Sequence, residues 1–376
     1  MVGDCFIGKD IGLVGRGQMS DRMMLVYAGK GSSHSWTWLA DLFESAGIAD
    51  VRFPDSKGFT EGLDPSVSKV LVSGGDGMMI ADSIGSHGFA HLKGFIHRGG
   101  GYIGICAGAY LPLHSSIPPL DQFNISTTKI ENIDCTTPTP GTSPRVAVNY
   151  GSCSIIHPVR GEVTIANDNA QLIAPIYGGP IFMEPDRDRV LFRYSGFTSS
   201  TEFQMDAPRT RELVIGRPAV IESVHGKGRL LLLGPHLEHP KYRDANKAFL
   251  ELTEGTDHGI REGVPKAEGE PAASLVRSIS NLRIAVLGLE NRAFLVGNKL
   301  WDGSRFLELI AAIEKRSGFM DNRLADDIAH DLTQVRDYLV RSPSGAGDDS
   351  LEGPDLLVEA ARKCIDGHFA LMRNSR

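Results

Sequence analysis

The sequence has no apolar run approaching the roughly 20 residues of a membrane span, and no Lys- or Arg-led apolar stretch near its start. Neither a membrane anchor nor a secretory signal is expected. It also lacks an excess of basic charge. Lys and Arg total 39 against 46 Asp and Glu, a net charge of −7, which argues against a nucleic-acid partner. Cysteine is sparse: five residues, an odd number, at positions 5, 106, 135, 153 and 364. Odd in number and scattered, they do not look like a disulfide framework. These absences leave a cytoplasmic, reducing-compartment protein as the expectation. Hydrophobic residues at 41% and charged residues at 23% are ordinary globular usage, and 376 residues are enough for about two domains.

Residues 1–22 are glycine-rich and aperiodic and read as a loose N-terminal arm. Gly12, Gly15 and Gly17 do not make a phosphate loop, because no strand precedes them and no helix follows. From Met23 short apolar runs alternate with helical stretches. Met24–Tyr27, Val51–Phe53, Val70–Val72 and Tyr102–Ile105 read as strands, and 36–46 and the stretch around Phe89–Ile96 read as helices. That alternation predicts a mostly parallel sheet covered on both faces. Residues 115–225 are richer in strand and turn signals, with strands expected at 146–148, 162–165, 190–194 and 218–222. Gly226-Lys227-Gly228 turns into the apolar run 229–233, and a helix is expected over 241–252. This α/β domain spans 23–252. Residues 253–272 are polar with Gly and Pro and read as a linker.

Beyond the linker the whole of 273–376 reads as helical. Leu275, Ile279, Leu282, Val286, Leu289, Ala293 and Val296 alternate steps of four and three, a heptad seam. Further stripes cover 306–313, 324–339 and about 354–371. A small antiparallel all-α bundle is expected; its seam reads first as the bundle's own core, with homo-oligomerisation through it as the secondary reading.

Gly104-Ile105-Cys106-Ala107-Gly108 falls where a strand ends and a helix begins. A G-x-nucleophile-x-G elbow needs small neighbours, because the turn is sharp and the nucleophile stands on a strained backbone. A thiol at a helix N-terminus is also favoured as thiolate. Gly234-Pro235-His236-Leu237-Glu238 follows another strand end. His236 can take the thiol proton, and Glu238 can hold the imidazole tautomer. The N–H groups of Ala107, next to the nucleophile, and Gly75 (or Gly74), in the Ser73–Gly77 turn, can serve as oxyanion donors. Tyr177, Gly178 and Gly179 can close over a ligand, or form a plain β-turn. Trp36 and Trp38 line the site mouth or pack helix on sheet. His87 and His91 are spaced i, i+4, but Gly85 and Gly88 weaken that helix, so solvated rings are expected rather than zinc. Cys135 and Cys153 read as structural. His239 should point away if His236 is the base.

The Gly104–Gly108 elbow, the Ser73–Gly77 turn and the Pro235-His236-Leu237-Glu238 ending resemble the class I glutamine amidotransferase-like family. More narrowly, the stretch from Gly99 to Tyr110 is similar to the amidotransferase-like N-terminal domain of biotin–protein ligases. Tyr177-Gly178-Gly179-Pro180-Ile181-Phe182 resembles a second segment of that domain. The resemblance covers roughly 23–252 and implies a flavodoxin-like fold and a Cys-His-Glu triad, without naming a substrate. Glutamine amidotransferases usually carry Gln or a similar polar residue two places after the elbow. Here Tyr110 stands there, a side chain able to hydrogen-bond a ligand. No biotinyl-adenylate loop is present, so biotin transfer is not expected. The expected activity is a cysteine-dependent amidohydrolase or amidotransferase acting on a small-molecule or peptide amide, needing no metal or organic cofactor. A synthetase partner would receive any ammonia released. The other reading is a non-catalytic ligand-binding or regulatory module that signals to a protein partner through the helical domain.

Overall fold

The computed structural model describes residues 23–131, 148–150, 153–155, 157–255, 269–289, 293–297, 299–341 and 352–375. The expected arm at 1–22, the strand residues 146–147, Cys5, Cys135 and most of the expected linker lie outside them. Cys153 lies in a strand, and its side chain is also outside the description.

The chain begins β1 (Met23–Val26), α1 (Trp36–Ser45), β2 (Val51–Arg52), α2 (Ser56–Glu61), β3 (Val67–Val72), α3 (Gly77–His97), β4 (Gly101–Ile105) and the short α4 (Ala107–Tyr110). A small hairpin follows, β5 (Val148–Tyr150) with β6 (Cys153–Ile155). Then come β7 (Val159–Ala166), β8 (Gln171–Ile176), β9 (Arg189–Phe203), α5 (Ala207–Val214), β10 (Pro218–His225), β11 (Gly228–Leu233) and α6 (Arg243–Glu254). The C-terminal part holds α7 (Ala273–Leu287), β12 (Ala293–Val296), β13 (Lys299–Asp302), α8 (Gly303–Arg316), α9 (Asn322–Arg341) and α10 (Glu352–Asn374).

Nine strands form one sheet in the order β2-β1-β3-β4-β11-β10-β9-β7-β8. Pairing is parallel from β2 to β11 and antiparallel from β11 to β8. Side chains alternate across a strand, so both faces of the parallel half must be apolar. Met24, Val26, Leu231 and Leu233 enter one buried cluster, with Trp36, Leu39 and Phe43 of α1 and Phe249 of α6. Leu25, Tyr27, Leu230 and Leu232 enter the other, with Ile80, Phe89 and Leu92 of α3. The sheet is thus covered on both faces, as the alternation of strands and helices implied. The strands at 171–176, within 195–203 and within 223–225, and the helices α2 and α5, extend what the sequence indicated.

The helical C-terminal region is present, with one difference. The seam keeps its helix only to Leu287, and Ala293 and Val296 belong to the antiparallel pair β12–β13. The reason is local: Gly297 stands at φ 59° just after β12, where a glycine meets a backbone that helix residues do not adopt, and Val296 pairs with Lys299 across the strands. Leu275, Ile279, Leu282 and Val286 are buried within the chain, where α7 packs on α8 and α9. The seam therefore fills the chain's own core.

This region is joined to the α/β part through α1 and β2. Arg316 of α8 is fully buried and its Nη2 donates to Asp41 Oδ1 and Glu44 Oε2, both at 2.7 Å. Glu44 Oε1 also meets His368 Nε2 of α10 at 2.8 Å. Asp366 Oδ1 accepts from the Phe53 N–H at 2.8 Å, and Phe53 packs on Phe369. No described helix is long and apolar enough to cross a membrane.

Candidate active site

Four loops converge at the C-terminal ends of the parallel strands, where ligands of open α/β sheets bind. Ser33–Ser35 follow β1, Ser73–Asp76 follow β3, Cys106 follows β4, and His236–Glu238 follow β11.

Cys106 stands at φ 53°, ψ −110°, and it is the sole non-glycine with positive φ among the described residues. Such a conformation costs on the order of 1–3 kcal/mol and persists only where the surroundings impose it. Here the Cys106 N–H donates to Leu233 O at 2.9 Å, and the Gly108 N–H donates to Ser73 O at 3.1 Å. The glycines are dictated by space. A Cβ on Gly108 would run into the Val72 carbonyl, and one on Gly104 into the Gly108 carbonyl. Tyr102 Oη donates to Gly108 O at 2.7 Å and closes the turn.

His236 and Glu238 are 2% and 0% exposed, and Cys106 is 6% exposed. His236 Nδ1 and Glu238 Oε1 are 2.7 Å apart, which leaves Nε2 for the hydrogen bond with the Cys106 thiol. Their loop is pinned by Asn246 of α6, whose Nδ2 donates to Leu237 O at 2.7 Å. Burial pushes the thiol up, but the His236 charge and hydrogen bond, helped by Lys299, reverse this and lower it. Burial opposes a charged His236, yet Glu238 and the Cys106 sulfur raise it. The two shifts are opposite in direction, the thiol lowered and the imidazole raised, and each group is among the causes of the other's shift.

A row of serines backs the carboxylate. Ser73 Oγ donates to Glu238 Oε1 at 3.2 Å, and Ser35 Oγ lies 3.0 Å from Ser73 Oγ and accepts from the Gly74 N–H at 3.0 Å. Glu238 Oε2 has no hydrogen-bond partner among the described residues. The Ser33 N–H donates to Gly74 O and the Asp76 N–H to Gly31 O, so the pairing of Ser32 with Gly75 does not use the Gly75 N–H. Ala107 opens α4, and its N–H has no carbonyl one turn back.

Above these residues lies a cavity of about 280 Å³, near the lower end for small-molecule sites. Cys106, His236, Gly75, Tyr177 and Trp38 line it. Trp38 stands edge-on to His236 with ring centres 5.4 Å apart, whereas Trp36 is fully buried against Phe53. Tyr110, Gly178 and Gly179 are not in the lining. Tyr110 Oη donates to Gly178 O at 3.0 Å, and Gly179 packs so closely on the Gly234 backbone that no Cβ would fit. All three support the wall that carries Tyr177. His239 does line the cavity, beside Trp38 at 4.3 Å, and burial lowers it to about 4. His87 and His91 lie with ring centres 4.3 Å apart, and no group of three or more potential metal ligands occurs among the described residues.

Several lining residues escaped sequence reasoning: His34, Arg160 of β7, and Lys299, Trp301, Asp302 and Arg305 of the C-terminal region. The Gly-Asn turn was the available signal for the last four. Read as a hairpin turn, it would have separated 293–302 from the helical seam.

Residues 23–116, which include the elbow, match the family model for the N-terminal domain of biotin–protein ligase. No curated protein matches the chain. Among solved structures it is similar to a glutamine amidotransferase at 15% identity and TM-score 0.41, over 62% of this chain and 99% of that one. A protein assigned as a GMP synthase subunit from Thermoplasma acidophilum shows 12% identity and TM-score 0.36, over 61% and 90%. A GH42 β-galactosidase, Gan42B, shows 12% identity and TM-score 0.37, over 64% of this chain but 30% of its own length. Likeness at this level carries no argument about activity.

Proposed function

We propose that the protein is a cysteine-dependent amidohydrolase or amidotransferase in which Cys106, His236 and Glu238 act as a triad. The observation that carries this reading is the buried line from Glu238 through His236 to a thiol held at positive φ over a helix N-terminus. The Cys106 thiolate attacks an amide carbonyl, and the Gly75 and Ala107 N–H groups receive the oxyanion. His236 then gives its proton to the leaving nitrogen as the C–N bond breaks, leaving a thioester. A water or amine acceptor, deprotonated by His236, attacks that thioester and returns the thiolate. Glu238 keeps the imidazole in the tautomer with Nε2 facing the sulfur and supports its positive charge.

The test is a panel of carboxamides and peptide amides followed by intact mass. A hydroxylamine-sensitive acyl adduct on Cys106, absent from Cys106→Ala, is expected. If no member of a broad panel acylates Cys106 while ligands still bind in the cavity, the module is a binding domain and the catalytic reading is wrong.

A further inference from the structure

The C-terminal hairpin forms part of the cavity wall. Lys299 and Trp301 of β13 line it together with Cys106 and His236. Side chains two apart on a strand share a face, so the two turn to the cavity together. The strand that carries them is held from several directions. Val296 pairs with Lys299 across the hairpin, and Trp301 packs on Phe306 of α8 with ring centres 5.6 Å apart. Gly297 abuts Met79 and Asp76 at the start of α3, which seats the hairpin on the α/β part. Asp302 ends β13 and caps α8 by accepting from the Ser304 N–H at 3.1 Å.

Lys299 is half-buried, and no carboxylate among the described residues stands within ion-pair distance of it. An ammonium withdrawn from water is costly without a counter-charge. The attractions it feels come from Cys106 first and Asp76 second, against repulsion from Arg160 of β7 and Arg305 of α8. Asp76 already caps α3 by accepting from the Met78 N–H at 2.9 Å, and Arg305 is drawn to Asp302. The charge count of the triad points the same way. A thiolate, an imidazolium on His236 and a carboxylate on Glu238 together carry one negative charge, and all three side chains are buried. One ammonium beside them brings the cluster to neutrality, which a medium of low dielectric favours. The other ionisable neighbours do not change this count. Burial lowers His34 to about 3 and His239 to about 4, so both stay neutral, and burial keeps Tyr194 of β9 a neutral phenol.

We propose that Lys299 is a positioning residue for Cys106: the C-terminal hairpin supplies the counter-charge of the thiolate, so the nucleophile is complete only with both regions of the chain in place. This role rests on Cys106 being the nucleophile. It gives the C-terminal region a part in the chemistry of a site whose other members all come from the α/β part.

The experiment follows alkylation of Cys106 by iodoacetamide, an uncharged reagent, across the pH range in the full chain. The pH of the inflection is read, because the plateau rate also carries the intrinsic nucleophilicity of the sulfur. Lys299→Met keeps the length of the side chain and removes its charge. Its inflection is expected to rise by about one unit, which is about a tenfold loss of thiolate at a pH below both inflections. Lys299→Arg keeps the inflection near that of wild type. A lysine that serves only to seat the hairpin would instead lower the unfolding midpoint and leave the inflection unmoved. A second measurement changes nothing at position 299, and so decides even if the Met variant does not fold. The titration of the Lys299 Cε chemical shift is compared in isotope-labelled wild type and Cys106→Ser. Coupling is reciprocal, so loss of the thiolate is expected to lower the Lys299 inflection by about the same one unit. A Lys299→Met inflection equal to wild type, or a Lys299 titration unmoved by Cys106→Ser, overturns the counter-charge role, while a low wild-type inflection that His236→Ala raises leaves the triad standing. A wild-type inflection at the ordinary thiol value overturns the nucleophile, and the role of Lys299 with it.

Discussion

His236 Nδ1 and Glu238 Oε1 lie 2.7 Å apart, and both side chains are withdrawn from solvent. A buried carboxylate this close makes the imidazolium the favoured form and so favours the thiolate beyond it. Glu238→Gln keeps the shape and removes the charge. Losing a charge-assisted hydrogen bond of about 1.5–3 kcal/mol corresponds to one or two pKa units on the ring. Alkylation of Cys106 at pH 6 is expected to slow by at least about tenfold. A variant labelled as fast as wild type would show that the carboxylate does not govern the thiol.

The elbow tolerates no added methyl group at Gly108, because the Val72 carbonyl occupies the place of a Cβ. Gly108→Ala is expected to cost about 1–3 kcal/mol or more through overpacking, and to move Cys106 off its strained backbone. Denaturant melts and Cys106 labelling should fall together. A stable variant with altered labelling would place the strain elsewhere.

Arg316 is fully buried between Asp41, Glu44 and the helices of the C-terminal region. Removing one partner from a buried charge cluster typically costs about 3–5 kcal/mol, because the remaining charges stay desolvated. Arg316→Met should lower the unfolding midpoint sharply, and Glu44→Gln in the same chain should recover part of the loss. Additive losses in the double variant would mean the two residues are not coupled.

Acid should weaken the fold through neutral histidines. Burial lowers His34 to about 3 and His157 to about 4, whereas both titrate near 6.5 when unfolded. Below pH 6.5 the unfolded chain binds protons that the folded chain refuses, so stability falls as pH falls, until the folded values are passed. The melting temperature should drop between pH 7 and 4.5, and His157→Asn should reduce that drop. An equal drop in both proteins would exclude His157 as a source.

Much of this was legible because it is local. The apolar runs around Leu25, Val72, Ile103 and Leu231 declare a two-faced parallel sheet, and the glycines around Cys106 declare a turn that only small residues permit. His236 and Glu238 were legible because they follow directly on a strand. The serine row and the cations were not, because their meeting depends on elements far apart in the chain. Ser35 meets Ser73 across 38 positions, and Lys299 lines the same cavity as Cys106 because the hairpin packs against the start of α3. Residues 293–296 satisfied a heptad and a strand equally, and the pairing of β12 with β13, with Gly297 at positive φ between them, decided for the strand.

The central claim is an activated thiolate, and the most direct test is the pH dependence of Cys106 alkylation by iodoacetamide in wild type and His236→Ala. The account predicts fast labelling that persists below pH 7 in wild type, and an inflection moved to or above the ordinary thiol value of about 8.5 in the variant. Slow labelling with an ordinary inflection in both proteins would contradict it.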